Sequence, residues 1–107
     1  PMHRISHWID GKVVLGTSGR SAVVFDPATG MQQAAVDLAS AAEVDAAVSV
    51  AKAAFPAWRG TNLSRRAEVM FHMRELVDAN RKEIATLLTQ EHGKVLSDAL
   101  AAADARG

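Results

Sequence analysis

No cysteine occurs among the 107 residues. That excludes disulfides, cysteine-ligated zinc and a thiol nucleophile within this chain. An excess of charge is missing too: Lys plus Arg and Asp plus Glu both number 12, for a net charge of zero. The only basic pairs, Arg65-Arg66 and Arg81-Lys82, stand beside acids, so no basic stripe of the kind that grips nucleic acid is present. No apolar run approaches the roughly 20 residues needed to span a bilayer. The start, Pro1-Met2-His3-Arg4-Ile5, carries no apolar core of a secretory leader, and a cytoplasmic location is expected. None of the seven glycines falls in a G-x-G-x-x-G or P-loop pattern, so no sequence-level nucleotide cradle is visible. There are no repeats and no low-complexity linker.

What is present divides at Ser40. Before it, Ile5 to Val14 reads as a hairpin in which Asp10-Gly11 suits a type I′ turn, with Trp8 expected to anchor it onto the helices. Ser21 to Phe25 and Gln33 to Leu38 read as strands separated by the turn Asp26-Pro27-Ala28-Thr29-Gly30. After it come helices. Ser40-Ala41-Ala42-Glu43 forms a capping box and opens a helix with Val44, Val48, Ala51, Phe55 and Trp58 on one stripe; Pro56 is expected to end or kink it near Phe55. Ser64 to Ala79 predicts a second helix, apolar on two sides: Ala67, Met70, Phe71 and Val77 on one, Val69, Met73 and Leu76 on the other. Such a helix wants two partners. Asn80 to Glu83 repeats the capping logic for a third helix with Ile84, Leu87 and Leu88 inward, stopped by Gly93. Lys94 to Arg106 predicts a fourth, rich in alanine, with Val95, Ala99, Leu100 and Ala103 inward. The fold class expected is α+β: a short antiparallel β-meander over residues 5–38, then three to four packed helices over 40–106, all in one partial domain spanning 1–107.

The residues that could carry chemistry each have a structural explanation. His3 and His7 lie i, i+4, but on a terminus feeding a strand, where that spacing does not converge on a metal. His72 has no hydroxyl or thiol beside it to activate. His92 suits the negative end of its helix. Glu43 and Glu83 are explained by capping, and Asp10, Asp26 and Asp37 by turns and strand ends. No catalytic, cofactor-binding or metal-ligating residue emerges.

Several blocks in order nevertheless resemble a known family. His7-Trp8-Ile9-Asp10-Gly11, Phe25-Asp26-Pro27-Ala28-Thr29-Gly30, Ala51-Lys52-Ala53-Ala54-Phe55-Pro56-Ala57-Trp58, Arg65-Arg66-Ala67 and Glu91-His92-Gly93-Lys94 resemble the N-terminal end of the aldehyde dehydrogenase superfamily. Leu38 to Val48 and Leu87 to Lys94 are most similar to its methylmalonate-semialdehyde branch. The resemblance covers about residues 7 to 100 and implies a partial N-terminal piece of the cofactor domain, lying beside the Rossmann-like sheet without forming its nucleotide-binding core. It implies NAD-dependent oxidation of an aldehyde through a cysteine thiohemiacetal and thioester, with acyl transfer to coenzyme A. The family's cysteine, general-base glutamate, oxyanion-hole asparagine and main NAD contacts lie far beyond the matched segment. NAD and coenzyme A are therefore cofactors of the full-length family and not of this chain alone.

One substrate residue is a candidate. The branch continues its fourth helix as Ala-Leu-Gly-Glu-Val-x-Arg-Gly, with the arginine expected to face the substrate carboxylate. Here Ala99-Leu100 lead to Arg106 one position late, a rotation of about 100° on a helix. That change near the end points to a truncated or diverged gene, or to a piece of a longer protein. The expected function is thus the N-terminal segment of an acyl-CoA-forming aldehyde dehydrogenase, inactive on its own. The alternative is a stand-alone module that binds itself or a dehydrogenase. The expected partners are a second copy or the remainder of a dehydrogenase, with no nucleic acid and no membrane.

Overall fold

The computed structural model describes residues 3–105. The element order is β1 (His3–Ile5), β2 (His7–Ile9), β3 (Lys12–Val14), β4 (Ser21–Phe25), β5 (Gln32–Asp37), α1 (Ala41–Gly60), α2 (Leu63–Ala79), α3 (Arg81–His92) and α4 (Leu96–Ala105). The class is α+β, as the sequence predicts. The chain forms two compact units, one of residues 1–25 and 32–60, the other of residues 26–31 and 61–107. No helix among the described residues is long and apolar enough to cross a membrane.

The first unit holds the strands and α1. They pair less simply than a meander. β2 and β3 make their own antiparallel hairpin, His7 opposite Val14 and Ile9 opposite Lys12. Asp10 (φ 57°) and Gly11 (φ 73°) supply the two left-handed residues of its turn. The other sheet has the order β1-β5-β4, with β4 antiparallel to β5 and β1 parallel to it, His3 opposite Ala34. The reason lies in spacing. One residue, Ser6, separates β1 from β2, and the tightest common hairpin needs two in its loop, so β2 cannot fold back on β1. The central strand, β5, carries the one buried apolar residue described in this unit, Ala34. Trp8 is no anchor: it is 70% exposed.

The capping box of α1 forms as the sequence predicts. The Glu43 N–H donates to Ser40 Oγ at 3.1 Å, and the Ser40 N–H donates to Glu43 Oε1 at 3.2 Å. Pro56 was free to end or kink this helix, and it does not end it. The helix runs through Pro56 and continues to Gly60. Proline frees the carbonyl four residues earlier, and on a helix with no buried residue that carbonyl can bond water instead. The stripe Val44, Val48, Phe55 and Trp58 is also not core, since all four are exposed. The half-buried line is Glu43, Ala47 and Val50, one position away from that stripe.

The second unit holds the other three helices. Asn62 caps α2, its Oδ1 accepting from the Arg65 N–H at 2.8 Å. Asn80 is the only residue between α2 and α3. It was expected to cap α3 with its side chain; instead its Nδ2 donates back to the Leu76 carbonyl at 2.8 Å and closes α2. A single linking residue must serve both ends, and here the side chain goes to the orphan carbonyls of the first helix. Gly93 ends α3 in the left-handed conformation (φ 81°), its N–H donating to the Thr89 carbonyl at 2.8 Å. A Cβ there would also meet Pro27 Cγ at 3.2 Å, so the turn 26–31 packs against this corner. The core is small side chains: Ala85 of α3 with Ala99 and Ala103 of α4 are buried, and no residue of α2 is.

Candidate functional site

Polar side chains converge in the first unit on one short segment, Gly16-Thr17. Asp37, at the end of β5, accepts from the Gly16 N–H at 2.8 Å and from Arg4 Nε at 2.9 Å and Nη2 at 3.0 Å. Arg4 Nη2 also donates to the Gly16 carbonyl at 3.0 Å. Glu43, at the start of α1, meets His7 Nε2 at 2.7 Å and accepts from the Thr17 N–H at 3.3 Å. The approach is close enough that a Cβ on Gly16 would lie 2.8 Å from Asp37 Cβ. Two carboxylates therefore clamp the segment that follows the hairpin, tying it to β5, to β1 and to α1.

The electrostatics suit clamping and not proton transfer. The Arg4 guanidinium and the Gly16 N–H hold the Asp37 carboxyl down to about 2. The Ser40 and Thr17 N–H groups, with His7, hold that of Glu43 at about 2 as well. A general base working near neutrality needs its pKa raised toward 7, and both groups are displaced the other way. A shallow groove of about 380 Å³ lies over this clamp, lined by His3, Arg4, Arg20, Ser21 and Asp37 among others. Its two arginines are engaged, Arg4 with Asp37 and Arg20 with the Ala39 carbonyl at 2.9 Å.

A larger groove, about 660 Å³, belongs to the second unit. Phe71, Val77 and Ala103 give it apolar surface, while Arg74, Glu75, Asp78 and Arg81 ring it with balanced charge. Among the described residues no hydroxyl, thiol or imidazole lines it, so it holds no Ser–His or Cys–His pair.

The histidines fall apart in space and role. His3 is on β1 and His7 on β2, strands of different sheets, and His7 is engaged by Glu43. Among the described residues no group of three His, Asp or Glu could hold a metal ion. His72 stands 3.8 Å from Glu75 on the exposed surface of α2. Arg106, the substrate candidate, lies outside the described residues. Sequence reasoning missed the second role of Glu43 and the pairing of Arg4 with Asp37. Their partners are 36 and 33 residues away in the chain, and no local spacing marks such pairs.

Comparison with known proteins decides the lineage. The profile of the aldehyde dehydrogenase family matches residues 14–106. The chain belongs to the aldehyde dehydrogenase family. Among its relatives within the family, the malonate-semialdehyde dehydrogenase of Pseudomonas aeruginosa is 42% identical over 98 residues, covering 92% of this chain and 20% of that protein. The mouse mitochondrial methylmalonate-semialdehyde/malonate-semialdehyde dehydrogenase, an acylating enzyme, is 42% identical over 86% of this chain and 17% of its own length. A crystal structure from Sinorhizobium meliloti 1021, assigned to the methylmalonate-semialdehyde dehydrogenases and complexed with NAD, superposes with a TM-score of 0.91 at 48% identity, over 94% of this chain and 21% of that one. The chain thus spans about a fifth of the relatives it matches. Its fold is that of a partial N-terminal piece of the family's Rossmann-like domain.

Proposed function

We propose that the chain is the structural flank of an NAD-dependent aldehyde dehydrogenase of the malonate- or methylmalonate-semialdehyde, acyl-CoA-forming type, and that it is inert by itself. The observation carrying this reading is family likeness along nearly the whole chain without a cysteine anywhere in it. The family chemistry needs a thiolate, and the carboxylates clustered here are engaged in holding strands to a helix. NAD and coenzyme A would be bound by parts of the enzyme that these 107 residues do not include.

A graft tests it. This chain replaces the matching segment of the Pseudomonas aeruginosa relative, and NADH formation is followed with malonate semialdehyde and coenzyme A. The expected result is activity within about tenfold of the parent, equivalent to about 1.4 kcal/mol in the barrier, and none from the 107 residues alone. A graft that does not fold or turn over overturns the flank reading, and turnover by the chain alone overturns the inert one.

A second reading is a module that associates with itself or with a dehydrogenase. The uncovered α1 and α2 favour it, because Val44, Val48, Phe55, Trp58, Met70 and Phe71 are all exposed. Sedimentation analysis tests it: a monomer at all concentrations, with no affinity for a full-length relative, removes it.

A further inference from the structure

Glu43 clasps the open end of the β2–β3 hairpin from both sides. His7, the first residue of β2, meets its Oε2 at 2.7 Å. Thr17, just beyond β3, donates its N–H to Oε1 at 3.3 Å and its hydroxyl at 3.4 Å. The other end of the hairpin is the turn Asp10-Gly11, where both residues are exposed. Neither the Asp10 carboxylate nor the Gly11 N–H is hydrogen-bonded to a described residue. A Cβ built on Gly11 would meet nothing within 4 Å. Between clasp and turn stand three residue pairs, in a sheet of two strands, and a hairpin of that size is marginal in water. Asp10 is also the one non-glycine described with a positive φ, 57°, a conformation that an L residue leaves when the turn opens.

We propose that Asp10 is a modification site: its carboxyl closes on the Gly11 nitrogen to a cyclic imide and reopens as isoaspartate, at a rate set by the Glu43 clasp. The Gly11 nitrogen attacks Asp10 Cγ, the N–Cγ bond forms, and the carboxyl hydroxyl leaves with the N–H proton as water. Water then adds to one of the two imide carbonyls. Addition at Cγ breaks the N–Cγ bond and restores aspartate. Addition at the main-chain carbonyl breaks that C–N bond and leaves the chain running through Cβ and Cγ. One water is lost and one regained, nothing is oxidised or reduced, and the mass is unchanged. The flat five-membered ring turns the Asp10 backbone out of the left-handed conformation, so the turn must open before the ring closes. Gly11 makes the position selective, because no side chain shields its nitrogen. Asp10 is the only Asp or Asn in the chain followed by glycine. Asp45, Asp78 and Asp98 lie within helices and precede alanine, and Pro27 leaves Asp26 no neighbouring N–H to attack with. The product lengthens the backbone by a methylene and ends the two-residue turn that sets His7 opposite Val14. The change at the tip therefore pulls on the clasp at the base.

The test ages the protein. The full 107-residue chain is held near neutral pH at body temperature for several weeks, and its peptides are mapped by chromatography, where the isomer elutes apart at identical mass. Asp10 is expected to isomerise at least ~10-fold faster than Asp45, Asp78 or Asp98. Asp10→Glu should abolish the signal at that position, since the ring would need a sixth member. His7→Leu removes one arm of the clasp and should speed the reaction about fivefold. Glu43→Gln removes the charge while keeping a residue suited to the capping box, and should act in the same direction. Circular dichroism identifies the variants that keep their helices, and rates are compared among those. Isomerisation no faster at Asp10 than at the helical aspartates overturns the proposal. So does a rate at Asp10 that neither clasp substitution moves, because a reaction dictated by the Asp-Gly pair alone would not respond to His7 or Glu43.

Discussion

The two units are held together by opposite means. In the first, β1, β5, the Gly16-Thr17 segment and α1 are joined by Asp37 and Glu43, with Ala34 the only buried apolar residue described there. In the second, the buried residues described on α3 and α4 are Ala85, Ala99 and Ala103. Directional polar contacts fix geometry but contribute modestly where water reaches them. Alanine packing lets helices approach closely but removes little apolar area from water. Neither unit has a core of large side chains, and the exposed Phe55, Trp58, Phe71 and Met73 show where those side chains stand instead.

Substitutions can break that contrast. The largest effect is expected at Ala99, which is fully buried. Ala99→Leu should force α3 and α4 apart and cost about 3 kcal/mol, read as a lower urea midpoint. Next is Gly16→Ala: the new Cβ would sit on that of Asp37, and displacing the clamp should cost about 2 kcal/mol in the same assay. Asn62→Ala removes the side-chain cap of α2 and should cost about 1 kcal/mol, seen as faster amide exchange at Arg65. Thr89 has a buried hydroxyl without a partner, so Thr89→Val should stabilise the second unit by about 1 kcal/mol in thermal unfolding.

The smallest effect should come from pH, and it should sharpen the comparison. The carboxyls of Asp37 and Glu43 are held at about 2, below their ordinary 3.8 and 4.5. Their contribution is present above the ordinary values and is lost as pH falls through the folded ones, between about 4.5 and about 2. Amide shifts of Gly16 and Thr17 should therefore titrate near pH 2, while those of Ala85 and Ala99 stay flat until unfolding. Asp37→Asn should remove the Gly16 titration and leave that of Thr17.

Much of this arrangement was legible in the sequence where its causes are local. The capping box at Ser40, the left-handed pair Asp10-Gly11, the Asp26–Gly30 turn and the Gly93 stop each depend on residues within five positions. Pairings set by distant residues were not legible: β1 beside β5, Arg4 with Asp37, His7 with Glu43. The stripes on α1 and α2 were legible as apolar, but not whether anything covers them. Periodicity reports which face seeks burial, and a chain spanning about a fifth of its relatives need not contain what would bury it. The site fared in kind, since the family wording in Leu87 to Lys94 reveals lineage while the groove beside Phe71 has no signature in sequence.

The contact of Pro27 with the Gly93 corner bears on how the chain acquires its structure. The turn 26–31 is flanked by strands of the first unit yet belongs with the second, so no single cut near Gly60 separates the two cleanly. Seating Pro27 closes a loop of about 66 residues. Such long-range closure carries a larger entropy cost than any helix or hairpin here and comes late. Refolding should show α3 and α4 protected from exchange before the Asp26–Gly30 turn is, and nicking the chain within that turn should loosen the end of α3 while leaving the β2–β3 hairpin as it was.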